Sequence, residues 1–112
     1  MINYNDKKFR AISNTENGET SSDTIFHYQQ NNNILSSKYS GGEIQLGHLI
    51  GIVHNNGTID MNYHHINFQN EIKSGVCHST PEILLNGKIR LHEVWKWTSG
   101  DQTKGVSILE EI

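Results

Sequence analysis

The chain has 112 residues, 34% of them hydrophobic, with 9 basic and 12 acidic side chains and a net charge of −3. That length suits one domain and is short for two. The charges are interspersed, so no basic patch marks a nucleic-acid footprint, and no apolar run approaches the roughly 20 residues of a bilayer-spanning helix.

Isoleucine, leucine, valine and phenylalanine make up about a quarter of the residues, enough for a sheet with one buried and one wet face. The opening Met1–Asp6 lacks the basic-then-apolar pattern of a secretory leader, so a cytoplasmic location is the default expectation. Segments 7–15 and 19–30 are predicted strands, separated by the turn dipeptide Asn17-Gly18. Within the second, Phe26 and Tyr28 share a face. The run Asn31-Asn32-Asn33 turns the chain into a third strand, 34–40, and Gly41-Gly42 turns it into a fourth, 43–54. There Ile44, Leu46, His48, Ile50 and Ile52 alternate along one face.

Asn56-Gly57 leads into 58–67, where Ile59, Met61, Tyr63 and His65 share a face. In a two-residue hairpin turn both central residues take positive φ, which asparagine and glycine tolerate best. A weaker turn at 68–71 precedes the sixth strand, 72–84. Its Ser79-Thr80-Pro81-Glu82 imitates a helix capping box. Too few residues follow for more than one helical turn, so a kink or bulge is expected there. Asn86-Gly87 then opens strand 88–98, where Ile89, Leu91, Glu93, Trp95 and Trp97 form one face. Ser99-Gly100-Asp101 precedes the last strand, 102–110.

Eight hairpin-linked antiparallel strands leave two exposed edges unless the first pairs with the last, and closure removes both. The expected fold is therefore all-β. It is an up-and-down meander of about eight strands forming a small closed or nearly closed barrel, of the lipocalin and avidin architecture, within one domain spanning 1–112. Glycines inside strands, at 47, 51, 75 and 105, mark bends or close backbone approaches.

The familiar catalytic and phosphate-binding motifs are absent. The single cysteine, Cys77, rules out an internal disulfide. Seven histidines are scattered, and adjacent pairs such as His64-His65 point to opposite faces of a strand, so no metal and no cofactor are expected. Glu93 stands out, because a carboxylate among tryptophans is desolvated, which costs several kcal/mol unless it is paired or protonated. Tyr28, His48, Tyr63, His65, Trp95 and Trp97 are expected to line the same interior, giving aromatic bodies with polar tips suited to a small ligand.

Phe26-His27-Tyr28-Gln29, Tyr39-Ser40-Gly41-Gly42, Gly47-His48-Leu49-Ile50-Gly51, Gly75-Val76-Cys77 and Arg90–Trp97 resemble a family of short uncharacterised bacterial proteins, some of them labelled N-acetylglutamate synthase. The resemblance runs from Phe9 onward. The label implies acetyl transfer from acetyl-CoA to glutamate. The chain offers no glycine-rich turn opening a helix to hold a pyrophosphate, so no acetyl-CoA binding is expected. Three readings follow. The first is a barrel holding a small, partly apolar ligand. The second is an enzyme, whether the labelled synthase or an isomerase or hydrolase using Glu93 and a histidine. The third is a packed barrel acting through its surface as a homodimer.

Overall fold

A computed structural model describes residues 2–112. Eight strands run in chain order: β1 (Lys8–Asn14), β2 (Ile25–Asn31), β3 (Ile34–Gly41), β4 (Ile44–Val53), β5 (Ile59–Asn67), β6 (Ile72–Ile83), β7 (Ile89–Trp97) and β8 (Lys104–Glu111). Each pairs antiparallel with the next, and β1 pairs with β8, so the barrel is closed. No helix occurs among the described residues, and so none that is long and apolar enough to cross a membrane. Tyr4 stops the end where β2–β3, β4–β5 and β6–β7 turn: its ring packs on Phe9 and Tyr28, and its hydroxyl donates to the Gly57 carbonyl at 2.5 Å. The opposite end carries the β1–β2, β3–β4, β5–β6 and β7–β8 connections and forms the mouth.

Alternation places side chains as expected in β2, β5 and β7, where Phe26, Tyr28, Ile59, Met61, Ile89, Leu91, Trp95 and Trp97 are all buried. It misleads in β4. A register shift between Ile44 and Leu46 puts Ile44 inside and turns Leu46, His48, Ile50 and Ile52 outward. Ile50 and Ile52 are 52% and 50% exposed. Inside the barrel, β4 presents Gly47, Leu49, Gly51 and Val53 instead. The reason is space. A Cβ at Gly47 would lie 2.4 Å from the Tyr39 ring, and one at Gly51 2.8 Å from the Met61 Cβ. Side chains from the neighbouring strands fill the inner space at positions 47 and 51, so β4 is bare at those two positions.

The same device recurs at the mouth side, where a Cβ at Gly75 would meet the Tyr63 ring and one at Gly105 the Trp95 ring. Each inward glycine stands directly across from the ring it accommodates. The expected bend in β6 is absent. Its pairing with β7 runs unbroken through Pro81, which lies opposite Leu91. The β5 ladder has already ended at Ser79, so proline's missing N–H interrupts nothing there.

Asn31 pairs with Ile34 and Gly41 with Ile44, so the β2–β3 and β3–β4 turns are two-residue connections, but the Asn-Gly turns differ from that type. At Asn56-Gly57 only the glycine has positive φ (87°), and likewise at Asn86-Gly87 (84°). The asparagines act through their side chains: Asn56 Oδ1 accepts from the Thr58 N–H and Asn86 Oδ1 from the Lys88 N–H. This is a type I turn followed by a left-handed glycine, the three-residue hairpin geometry. Asn17-Gly18 makes no hairpin. Residues 15–24 form a loop, and β2 begins six residues later than the sequence suggests.

Candidate functional site

A cavity of about 50 Å³ lies inside the barrel below the mouth. Tyr28, Tyr63, His65, Glu93, Trp95 and Trp97 all line it. His48 does not. The β4 bulge turns it outward, where its ring lies 5.6 Å from that of His64. The lining also includes residues that alternation alone did not single out, among them Asn14, Glu19, Tyr39 and Ser107.

Glu93 extends inward from β7, buried in an aromatic wall. It has no cationic partner among the described residues. The Ser79 hydroxyl of β6 donates to Oε2 at 2.5 Å and the Ser107 hydroxyl of β8 to Oε1 at 3.3 Å. Burial raises the carboxyl's pKa, and the serine hydrogen bonds oppose that rise. Both serines stand directly across from Glu93 in the β-ladders. Counting outward from the Asn86 turn would have found Ser79. Glu93 bonds no histidine among the described residues, so the pairing of Glu93 with a histidine is not assembled.

Tyr28 comes from β2, is fully buried, and its hydroxyl has no hydrogen-bond partner among the described residues. Asn14 Oδ1 is the other buried polar atom left without one, and both residues line this cavity. Burial, with Glu93 nearby, pushes the Tyr28 pKa well up, and burial raises those of Tyr39 and Tyr63. These phenols stay neutral and can donate. The Cys77 thiol is pushed up by burial and by Glu93, which makes it a poor nucleophile.

The 15–24 loop lies over the mouth, with Gly18, Glu19 and Thr20 lining the cavity. Glu19 reaches across it, and its Oε1 lies 2.7 Å from Nε2 of His65. Nδ1 of His65 lies 2.9 Å from the Tyr39 hydroxyl. One neutral tautomer satisfies both contacts: Tyr39 donates to Nδ1, and the Nε2–H donates to Glu19. Desolvation lowers the His65 pKa, and the bond to Glu19 only partly offsets it. Asn67 Nδ2 donates to Glu19 Oε2 at 3.2 Å, with Lys73 Nζ 3.7 Å from the same oxygen. The Trp97 indole N–H donates to the Asn17 carbonyl at 2.9 Å. Glu19 carried no sequence signal, because it sits where the pattern suggested a strand.

The arrangement offers a neutral or protonatable acid and an unengaged phenol at the base, and aromatic walls between Trp95 and Tyr39. Among the described residues no group of three or more histidine, cysteine or acidic side chains converges as a metal site would need. The family model described as "Avidin-like protein" matches residues 2–112. No curated protein and no solved structure matches the chain.

Proposed function

We propose that this chain, which belongs to the avidin-like protein family, binds a small ligand inside its barrel through a polar head carrying both a carbonyl and an N–H group. The carrying observation is the Tyr28 hydroxyl, buried without a partner in the same cavity as Glu93. A buried donor left unpaired costs roughly 1–3 kcal/mol, a cost that a ligand acceptor removes. A carbonyl would accept from Tyr28, and an adjacent N–H would donate to the free lone pairs of Glu93. Trp95 and Trp97, whose rings meet edge-on at 5.4 Å, would cover the apolar part. Neutral amides, lactams and cyclic ureas have this pattern. At about 50 Å³ the cavity holds only a few heavy atoms, since engineered cavities that take benzene measure about 150 Å³. A larger ligand therefore needs the 15–24 loop to move.

The test is a titration with imidazolidin-2-one, the simplest cyclic urea, and with biotin, read by tryptophan fluorescence. Saturable change is expected with the small urea, and its loss in Tyr28→Phe. A folded wild-type protein whose indole emission responds to neither compound overturns the reading.

A second reading is self-association, favoured by the outer face. Ile34 pairs with Ile52, and Val94 pairs with Val106, in one register row across the barrel. These residues, with Ile50 and Val76, are each at least 41% exposed. Asp60 and His78 stand between the two apolar pairs in that row; exposed apolar groups rimmed by polar residues mark interaction sites, and a second copy of the chain is the proposed partner.

A further inference from the structure

We infer that the mouth of the barrel contains a ready-made receptor for a small carboxylate, and that the protein's own Glu19 occupies it in place of a ligand. The donors and the acceptor come from different parts of the fold. His65 and Asn67 lie on β5 and Lys73 on β6, all within the closed barrel wall. His65 and Asn67 are buried, and Lys73 is fixed over the Trp97 ring at 5.5 Å. The three donors converge on the Glu19 carboxylate, through the contacts of 2.7, 3.2 and 3.7 Å already described, and the Asn67 amide also donates to Glu71 Oε1 at 2.9 Å. The Glu19 carboxylate belongs to a loop, not to the wall.

The loop segment is weakly held. From Gly18 to Asp23 it contains no apolar side chain. Its ends are fixed by Asn17, which donates to the Lys104 carbonyl at 2.8 Å, and by the buried Thr24, which donates to the Gly41 carbonyl at 3.1 Å. Between those ends, Thr20 bonds back to Asn14, and Ser21 bonds within the loop. Glu19 makes the segment's contacts with β5 and β6. Releasing it takes no apolar side chain of the loop out of the core, and an incoming carboxylate would replace each of its hydrogen bonds like for like. The exchange also uncovers Asn14, whose unpaired Oδ1 lies beneath the loop.

A tethered competitor lowers the apparent affinity for a free ligand by the fraction of molecules in which the receptor is vacant. Removing Glu19 should reveal the receptor. The probe is sodium acetate, with the His65 ring nitrogens followed by ¹H–¹⁵N correlation NMR. In Glu19→Ala, acetate should shift His65 saturably, with an apparent affinity at least about tenfold above wild type. Adding Lys73→Ala should weaken that response. In wild type, high acetate should shift His65 and the backbone amides of 18–22 together, as Glu19 leaves.

If Glu19→Ala fails to fold, Glu19→Gln keeps the volume and drops the charge, and the wild-type titration stands on its own. A folded variant whose His65 signals ignore acetate overturns the proposal, as does a wild-type His65 shift with no change in the 18–22 amides. Acetate lacks the N–H group required at the cavity base. A failure here therefore leaves the cyclic-urea reading intact, and a failure of the cyclic urea leaves this one intact.

Discussion

Tyr28 and Glu93 are both buried, and each is held in a way that costs stability. The Tyr28 hydroxyl is desolvated and unpaired, so Tyr28→Phe should leave the ligand-free fold intact and raise its stability by about 1 kcal/mol, the lower part of the range for an unsatisfied buried group. Chemical denaturation checks this, and a loss of 2 kcal/mol or so would mean that the hydroxyl is structurally bonded after all. Glu93 gives a pH signature. Its pKa is raised in the folded state, so protonation favours folding. The contribution is fully present below the ordinary carboxyl value and is lost as pH rises through the raised one. Glu93→Gln cannot ionise and should gain on wild type steadily as pH climbs. His65 acts in the opposite sense: its pKa is lowered, so its contribution is present above the ordinary imidazole value and lost as pH falls. It is the same in both proteins, and the difference between the two stability–pH curves therefore isolates Glu93. Parallel curves would mean that the carboxyl is not desolvated.

At the scale of the element, β7 and β4 make an instructive pair. β7 is legible because every second residue is bulky and faces inward, and its two tryptophans have nowhere else to go. Trp95→Ala should cost about 3–5 kcal/mol in a denaturant titration. β4 is illegible for a steric reason. Leu46, Ile50 and Ile52 face outward because Tyr39 and Met61 occupy the inner space beside Gly47 and Gly51, and a bulge hidden from any alternation count reverses the strand's phase after Ile44. The glycines were the better guide, since those at 47, 51, 75 and 105 each face a large side chain across the ladder. Gly105→Ala should accordingly displace the Trp95 ring, whose nearest atom would lie 2.2 Å from the new Cβ. A loss of about 1–3 kcal/mol is expected, with altered tryptophan emission. A neutral Gly105→Ala would show that the ring is loosely held. The loop at 15–24 was lost to the sequence because Asn17-Gly18 looks like the other turn dipeptides, and nothing local announces that Glu19 spans the mouth.

For the whole molecule, the barrel's closure was readable from seven turn signals and the cost of bare edges, while what covers its outside was not. If a second copy covers the β3–β8 face, sedimentation should give a dimer or larger, and Val94→Lys with Ile50→Lys should give monomer without loss of fold. A wild-type protein that sediments as monomer at micromolar concentration would remove that reading. Closure has a kinetic consequence as well. Every ladder but one joins neighbours in the chain; the β1–β8 ladder joins its two ends. Loop-closure entropy makes such a pairing the slowest to form. Its contacts should be absent from the folding transition state, and Ala11→Gly in β1, a buried position paired only across the seam, should leave the folding rate nearly unchanged while speeding unfolding. An equivalent loss in the β6–β7 hairpin, at Leu91, should slow folding instead. The seam would then set how long the native state survives, and the hairpins how quickly it is reached.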